Sequence, residues 1–162
     1  MSFSHLTTAV IMTALIVDAA IYHTAVQASP RSTQIAEIFL ENLERKNTAG
    51  LEQLLADRVV FEAFGTRVQG RKAVLEQLTA ALEFFDQLDF SNERIGMGQD
   101  SQTVLVEAQG RYRLKQNGAS LQNGFALILQ LEQDNQISLI QAQVTPFISN
   151  EESNTFTPNF RP

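Results

Sequence analysis

The chain has 162 residues and a mass of 18.0 kDa, the length of a single domain. Its 44% apolar and 19% charged residues are a globular balance, and a net charge of −6 argues against broad binding to nucleic acid or anionic lipid. Cysteine and tryptophan are absent, which excludes disulfides, thiolate nucleophiles, iron–sulfur clusters and cysteine-ligated zinc.

No Lys or Arg precedes Arg31. The run Ala9–Val17 is apolar, Val26-Gln27-Ala28 places small residues at its first and third positions, and Ser29-Pro30 follows. This order predicts an export signal over residues 1–28, cleaved after Ala28, and a periplasmic or secreted mature chain. A retained anchor from Leu6 to Val26 would carry Asp18 near its middle, at a cost of roughly 2.5–3.5 kcal/mol. Both histidines, His5 and His23, fall inside this segment. A chain beginning at Ser29 therefore lacks imidazole, which excludes Ser–His–Asp chemistry and the usual zinc sites. No metal and no cofactor are expected, and catalysis would fall to Asp, Glu, Lys, Arg or Tyr112.

Ser32 or Thr33 predicts the N-cap of a first helix, with Ile35, Ile38, Phe39 and Leu43 at helical spacing and Arg45-Lys46 closing it. Thr48 predicts the cap of a short second helix carrying Leu51, Leu54 and Leu55. Arg58–Phe64 is β-branched and aromatic, hence a strand, and Gly65–Gly70 reads as a turn or short hairpin element. A third helix is expected from Arg71 to about Phe85, on Val74, Leu75, Leu78 and Leu82. The period then becomes two. Residues 88–97, 102–116, 120–132 and 136–147 predict four long strands separated by turn residues such as Gln116-Asn117-Gly118. The order predicts an α+β domain over residues 29–148, its helices on one face of a mostly antiparallel sheet, followed by a loose tail over 149–162.

This pattern resembles the NTF2-like superfamily, in particular its SnoaL-like and ketosteroid-isomerase-like members, from about Thr33 to Phe147. The resemblance rests on helix Ile35–Lys46, the segment Leu51–Asp57, the strand Val59-Val60-Phe61-Glu62, and Gly65 and Gly70 before Arg71-Lys72-Ala73-Val74. It implies a cone in which a curved sheet wraps against three helices and leaves an apolar pocket in its mouth. It also implies a homodimer through the outer sheet face. Consistent with that, strand 120–132 is apolar on both faces, with Phe125, Leu127, Leu129 and Leu131 on one and Ala126 and Ile128 on the other.

In the isomerases a carboxylate base precedes the glycine that ends the first strand, and the matching position here is Glu62. Alternation puts Val60, Glu62 and Phe64 on one face. If that face is inward, Glu62 is a desolvated carboxylate without a cationic neighbour, suited to proton transfer. The alternative turns Val59 and Phe61 inward and leaves Glu62 solvated. The isomerase oxyanion donors are missing, because Phe39 falls on the tyrosine position and Leu127 on that of the protonated aspartic acid. Losing one such donor costs ~2.7–4 kcal/mol, so steroid isomerisation is not expected.

Strand 102–116 alternates, with Val104, Val106, Ala108, Gly110, Tyr112 and Leu114 on one face and Glu107, Arg111, Arg113 and Lys115 on the other. Tyr112 is a candidate acid or, alternatively, a core tyrosine bonded within the protein. Arg67, Arg71 and Lys72 form either an anion-attracting cluster or a solvated rim, and Asp86 and Asp89 read as surface charge at a helix end. The function expected first is binding of a small apolar or amphipathic ligand in the cone, lined by Phe39, Val60, Phe64, Val106, Phe125 and Leu127, without catalysis. One alternative is an isomerase, cyclase or lyase with Glu62 as base and Tyr112 as acid. Another is a dimeric protein-interaction module whose cone is filled.

Overall fold

The structure, a computed structural model, describes residues 30–145 and 148–149. The expected export segment and the tail beyond Ser149 lie outside the described residues. Helix α1 (Pro30–Glu44) buries Ser32, Ile35, Ala36, Phe39 and Leu40 along one face, the spacing expected of an amphipathic helix. Ser32 is thus inside the first turn instead of capping it. Helix α2 (Thr48–Leu54) is capped by Asn47, not Thr48. The Asn47 Oδ1 accepts from the Gly50 N–H at 3.1 Å while its amide donates to Asn42 Oδ1 at 2.8 Å. Asn42 is itself buried and donates to the Ile38 carbonyl, so the end of α1 pre-positions the cap of α2.

Strands β1 (Leu55–Ala63) and β2 (Thr66–Gln69) form a hairpin, and α3 (Arg71–Glu83) follows. The remaining strands are β3 (Phe85–Met97), β4 (Thr103–Leu114), β5 (Ser120–Leu131), β6 (Ile137–Val144) and the short β7 (Ile148–Ser149). The sheet order is β2-β1-β6-β5-β4-β3, with β7 continuing beside β5. All pairs are antiparallel except β1–β6, which is parallel. That pair explains why β1 starts three residues before the expected Arg58: Leu55 pairs with Ile137, a partner distant in sequence. Likewise α3 stops short of Phe85, because Phe85 pairs with Leu114 and the Lys46 ammonium binds the carbonyls of Phe85 and Asp86. Asp86 and Asp89 accordingly sit on β3 and not at a helix end.

The helices cover one face of the sheet. Phe39 and Leu40 of α1, Val74, Leu78 and Leu82 of α3, and Val59, Val104, Val106, Leu129 and Ile140 of the strands form one apolar cluster. At the β3–β4 turn, Asp100 accepts the N–H groups of Gln102 and Thr103 and the Thr103 hydroxyl. Those bonds hold its carboxyl below the usual range and stabilise Ser101 at φ 55°.

Candidate functional site

Burial falls along the inward face of β4. Val104 and Val106 are 0% exposed beneath the helices, whereas Tyr112 and Leu114 at the other end are only half-buried. The half-buried Phe85, Leu88 and Phe90 of β3 lie beside them. The rings form a continuous wall: Phe85 to Tyr112 at 5.0 Å between centroids, Tyr112 to Phe90 at 6.4 Å, and Phe90 to Phe125 at 5.0 Å. Tilted and edge-on contacts of this kind favour the quadrupoles of neighbouring rings.

One polar group interrupts this wall. Gly110 and Asn123 are cross-strand partners, and the missing side chain of Gly110 lets the Tyr112 phenol fold back over it. The Tyr112 hydroxyl donates to Asn123 Oδ1 at 2.9 Å, and the Asn123 amide reaches the Thr145 carbonyl at 3.4 Å. Burial pushes the phenol well above its ordinary value of 10.0, so Tyr112 is a neutral donor at physiological pH. Asn123, 6% exposed, was not singled out from the sequence. Its signal was present, a polar residue in phase with Leu121 and Phe125 on an otherwise apolar strand face.

The sequence-derived site residues separate into two groups. Phe39, Val106, Phe125 and Leu127 join the core cluster, and Tyr112 extends it through Phe90. Val60 and Glu62 are on the other face, because Val59, Phe61 and Ala63 turn inward in register with Ile140 and Ala142, and Phe64, expected to line the cone, stands exposed in the β1–β2 turn outside the core cluster. The expectation that Glu62 has no cationic neighbour is corrected by the hairpin register. Glu62 pairs with Arg67 across β1–β2, and the two side chains form an ion pair. Glu62 also shares a row with Gln141, Ile128 and Leu105, and Tyr112 stands seven residues farther along β4. At ~3.3 Å per residue that is roughly 20 Å, on the opposite face of the sheet. The candidate base and the candidate acid are not brought together.

The basic cluster also disperses. Arg71 binds Asp57 at 3.0 Å and the Leu55 carbonyl at 2.9 Å, while Lys72 faces Glu76 at 3.9 Å on its own helix. On the outer face Arg111 stands opposite Asp89, and Arg94 opposite Glu107. Among the described residues no group of three His, Cys, Asp or Glu side chains could hold a metal ion, and no helix is long and apolar enough to cross a membrane. A trough of about 900 Å³ crosses the strands from Asn92 to Thr145, floored by Gly124 and Ala126. A hollow of about 320 Å³ lies at the β1–β2 hairpin.

The family profile described as a SnoaL-like domain matches residues 36–140, which is most of the chain. The chain belongs to the SnoaL-like family. Solved structures of similar fold include a putative polyketide cyclase from Xanthomonas campestris pv. campestris, at 16% identity, covering 69% of this chain and 88% of that one with a TM-score of 0.64. An M. tuberculosis epoxide hydrolase of the LEH-like type matches at 20% identity, 71% and 83% coverage and a TM-score of 0.58. A steroid delta-isomerase from Pseudomonas aeruginosa matches at 18% identity, 74% and 83% coverage and a TM-score of 0.57. No curated protein matches in sequence. At these identities the solved structures speak for the fold of this SnoaL-like domain alone, as the resemblance anticipated, and the chemistry has to be argued from its own residues.

Proposed function

We propose that this SnoaL-like domain binds a small, flat, apolar or amphipathic molecule against the aromatic wall of its helix-covered face, without catalysing its conversion. The observation that carries the reading is the graded burial of β4, from sealed core at Val104 to half-buried Tyr112 beside Phe85 and Phe90. A wall of rings with one polar handle, the Tyr112–Asn123 pair, is the composition of a small-molecule site: apolar contact for affinity, a placed polar group for orientation. Against catalysis stand the position of Glu62 on the other face of the sheet, paired with Arg67, and its separation from Tyr112.

Titration of the full chain with 2-naphthol, followed by amide chemical shifts, tests this reading. Saturable shifts should centre on Phe85, Phe90, Tyr112 and Asn123, and Phe90→Ala should weaken binding at least tenfold. Shifts confined to the outer face, or none that saturate, would overturn it.

The reading also includes export and dimerisation. The apolar run Ala9–Val17 before Val26-Gln27-Ala28 supports export, to be tested by finding Ser29 as the first residue of protein recovered outside the cytoplasm. A homodimer through the outer face is supported by the trough floored by Gly124 and Ala126, where small residues admit a close partner. Light scattering that reports only a monomer at micromolar concentration would remove it.

A further inference from the structure

We infer that the segment following Ser149 docks on the aromatic wall and sets Phe156 and Phe160 against it, so that a ligand of the wall has to displace part of the protein's own chain. The control of ligand binding rests on the function proposed above; the docking itself does not. β7 gives the segment its direction. Ile148 pairs with Gln122 and Ser149 with Leu121, antiparallel, so the chain leaves β7 alongside β5, heading toward Ser120. Ser149, Leu121, Tyr112 and Leu88 form one row across four strands. The chain therefore leaves the sheet at the end where burial along β4 falls, and where Leu88, Tyr112 and Leu114 are only half-buried.

The wall is within reach. With strands ~4.8 Å apart, Tyr112 lies roughly 10 Å from Ser149 and Leu88 roughly 14 Å. Phe156 is seven residues beyond Ser149 and Phe160 eleven. At ~3.3 Å per extended residue they reach roughly 23 and 36 Å, which leaves chain for a reversal onto the inward face. Pro158 lies between the two rings and breaks a helix there, so the segment crosses the wall extended.

Charge and composition fit the same placement. The polar run that predicts a loose tail includes two phenylalanines, and two acids, Glu151 and Glu152, follow directly on the exit. Continued by one residue, the β5–β7 register sets position 150 beside Ser120, whose other neighbour is Arg113. Lys115 follows in the turn between β4 and β5. Arg113 reaches Asp86 only at 4.0 Å, and among the described residues Lys115 makes no ion pair. Two acids thus meet two cations at the exit, four to nine residues before the rings. The rings then meet a wall of rings, where tilted and edge-on contacts are favourable. Tethering raises the effective concentration of the segment at the wall, so a weak contact suffices to populate it.

The test uses the full chain and NMR. In the wild type, ring protons of Phe156 or Phe160 should give nuclear Overhauser contacts to Leu88 or Tyr112. Phe156→Ser combined with Phe160→Ser should move the amide shifts of Leu88, Phe90 and Tyr112 and bind 2-naphthol at least threefold more tightly. Glu151→Lys combined with Glu152→Lys should act in the same direction, and added salt should narrow its difference from the wild type. Absent ring contacts together with unmoved wall amides overturn the inference. Wall amides that move in the phenylalanine variant, while 2-naphthol binds neither protein, uphold the docking and remove the ligand proposed for the wall. Equal binding of 2-naphthol to the wall of both proteins keeps that ligand and removes the docking.

Discussion

The Tyr112 ring rests on Gly110, two residues back on the same strand, and its hydroxyl ends on Asn123, the cross-strand partner of that glycine. A Cβ on Gly110 would overlap the hydroxyl and come within 2.6 Å of Cε2. Gly110→Ala should therefore expel the ring from its seat and break the hydrogen bond to Asn123. The expected cost is ~1–3 kcal/mol, as for other overpacked interiors. Chemical denaturation of Gly110→Ala, Tyr112→Phe and the double variant checks the coupling. The two costs should be far from additive, because both remove the same bond. Independent costs would separate Gly110 from the placement of Tyr112.

Tyr112→Phe alone leaves Asn123 Oδ1 buried without its donor, which costs about 1–3 kcal/mol. It should also change the alkaline limb of stability. Burial raises the folded phenol above its ordinary value of 10.0, so the native state holds its proton where the unfolded chain releases it. This contribution is complete below pH 10 and is lost as pH rises beyond it toward the folded value. Melting curves between pH 8 and 11.5 should fall more steeply for the wild type than for Tyr112→Phe. Parallel curves would place the phenol in water.

Period-two alternation located β4 and β5 to within two residues, since a strand with one buried face writes its pairing into its own sequence. The same rule did not settle β1. Both of its faces carry apolar residues, Val59, Phe61 and Ala63 on one and Val60 and Phe64 on the other, so the orientation of Glu62 was not in the strand itself. It follows from the pairing with Arg67 on β2 and Gln141 on β6, and the second of these partners lies far along the chain. The aromatic wall was half legible. Phe125 and Tyr112 are in phase on their strands, but helical spacing carries the third helix to Phe85, whose place beside Tyr112 depends on the register of β3 against β4. Asn47 took the cap expected of Thr48 for a tertiary reason, its bond to Asn42 on the preceding helix.

Phe39, which the resemblance to the isomerases sets at a tyrosine position, is among the most deeply buried side chains, 1% exposed. Phe39→Tyr would place a hydroxyl inside the apolar cluster to which Phe39 belongs. An unpaired buried hydroxyl costs ~1–3 kcal/mol on the mutational scale. The variant should lose that much stability and gain no isomerase activity toward a Δ5-3-ketosteroid, because Leu127 offers no second donor. Unchanged stability would mean that the ring reaches a polar partner or water, and would move Phe39 from the core to a solvent-connected site.

Glu93 sits at the bulge of β3, where two residues, Asn92 and Glu93, face the single residue Ala108 between the pairs Ser91–Gln109 and Arg94–Glu107. Its carboxyl is raised above the usual 4.5, first by partial desolvation and then by the charges of Glu44 and Glu37 on α1. Glu44 is held in place by accepting the Phe90 N–H, so it cannot turn away from Glu93 without leaving that donor open. The cation nearest in sequence is Arg94, and its backbone partner across the sheet is Glu107. A raised folded value means that the native state binds the proton more tightly than the unfolded chain. The ionised form therefore costs stability, beginning as pH rises through the unfolded value near 4.5 and complete above the folded one. Glu93→Gln keeps the shape and removes the charge. It should raise the melting temperature at pH 7, leave it unchanged at pH 3, and flatten the decline between them. Glu37→Gln should act in the same direction at pH 7 but more weakly, since it relieves only the smallest of the three causes. A Glu93→Gln variant that melts like the wild type at both pH values would show that α1 and the β3 bulge do not repel each other.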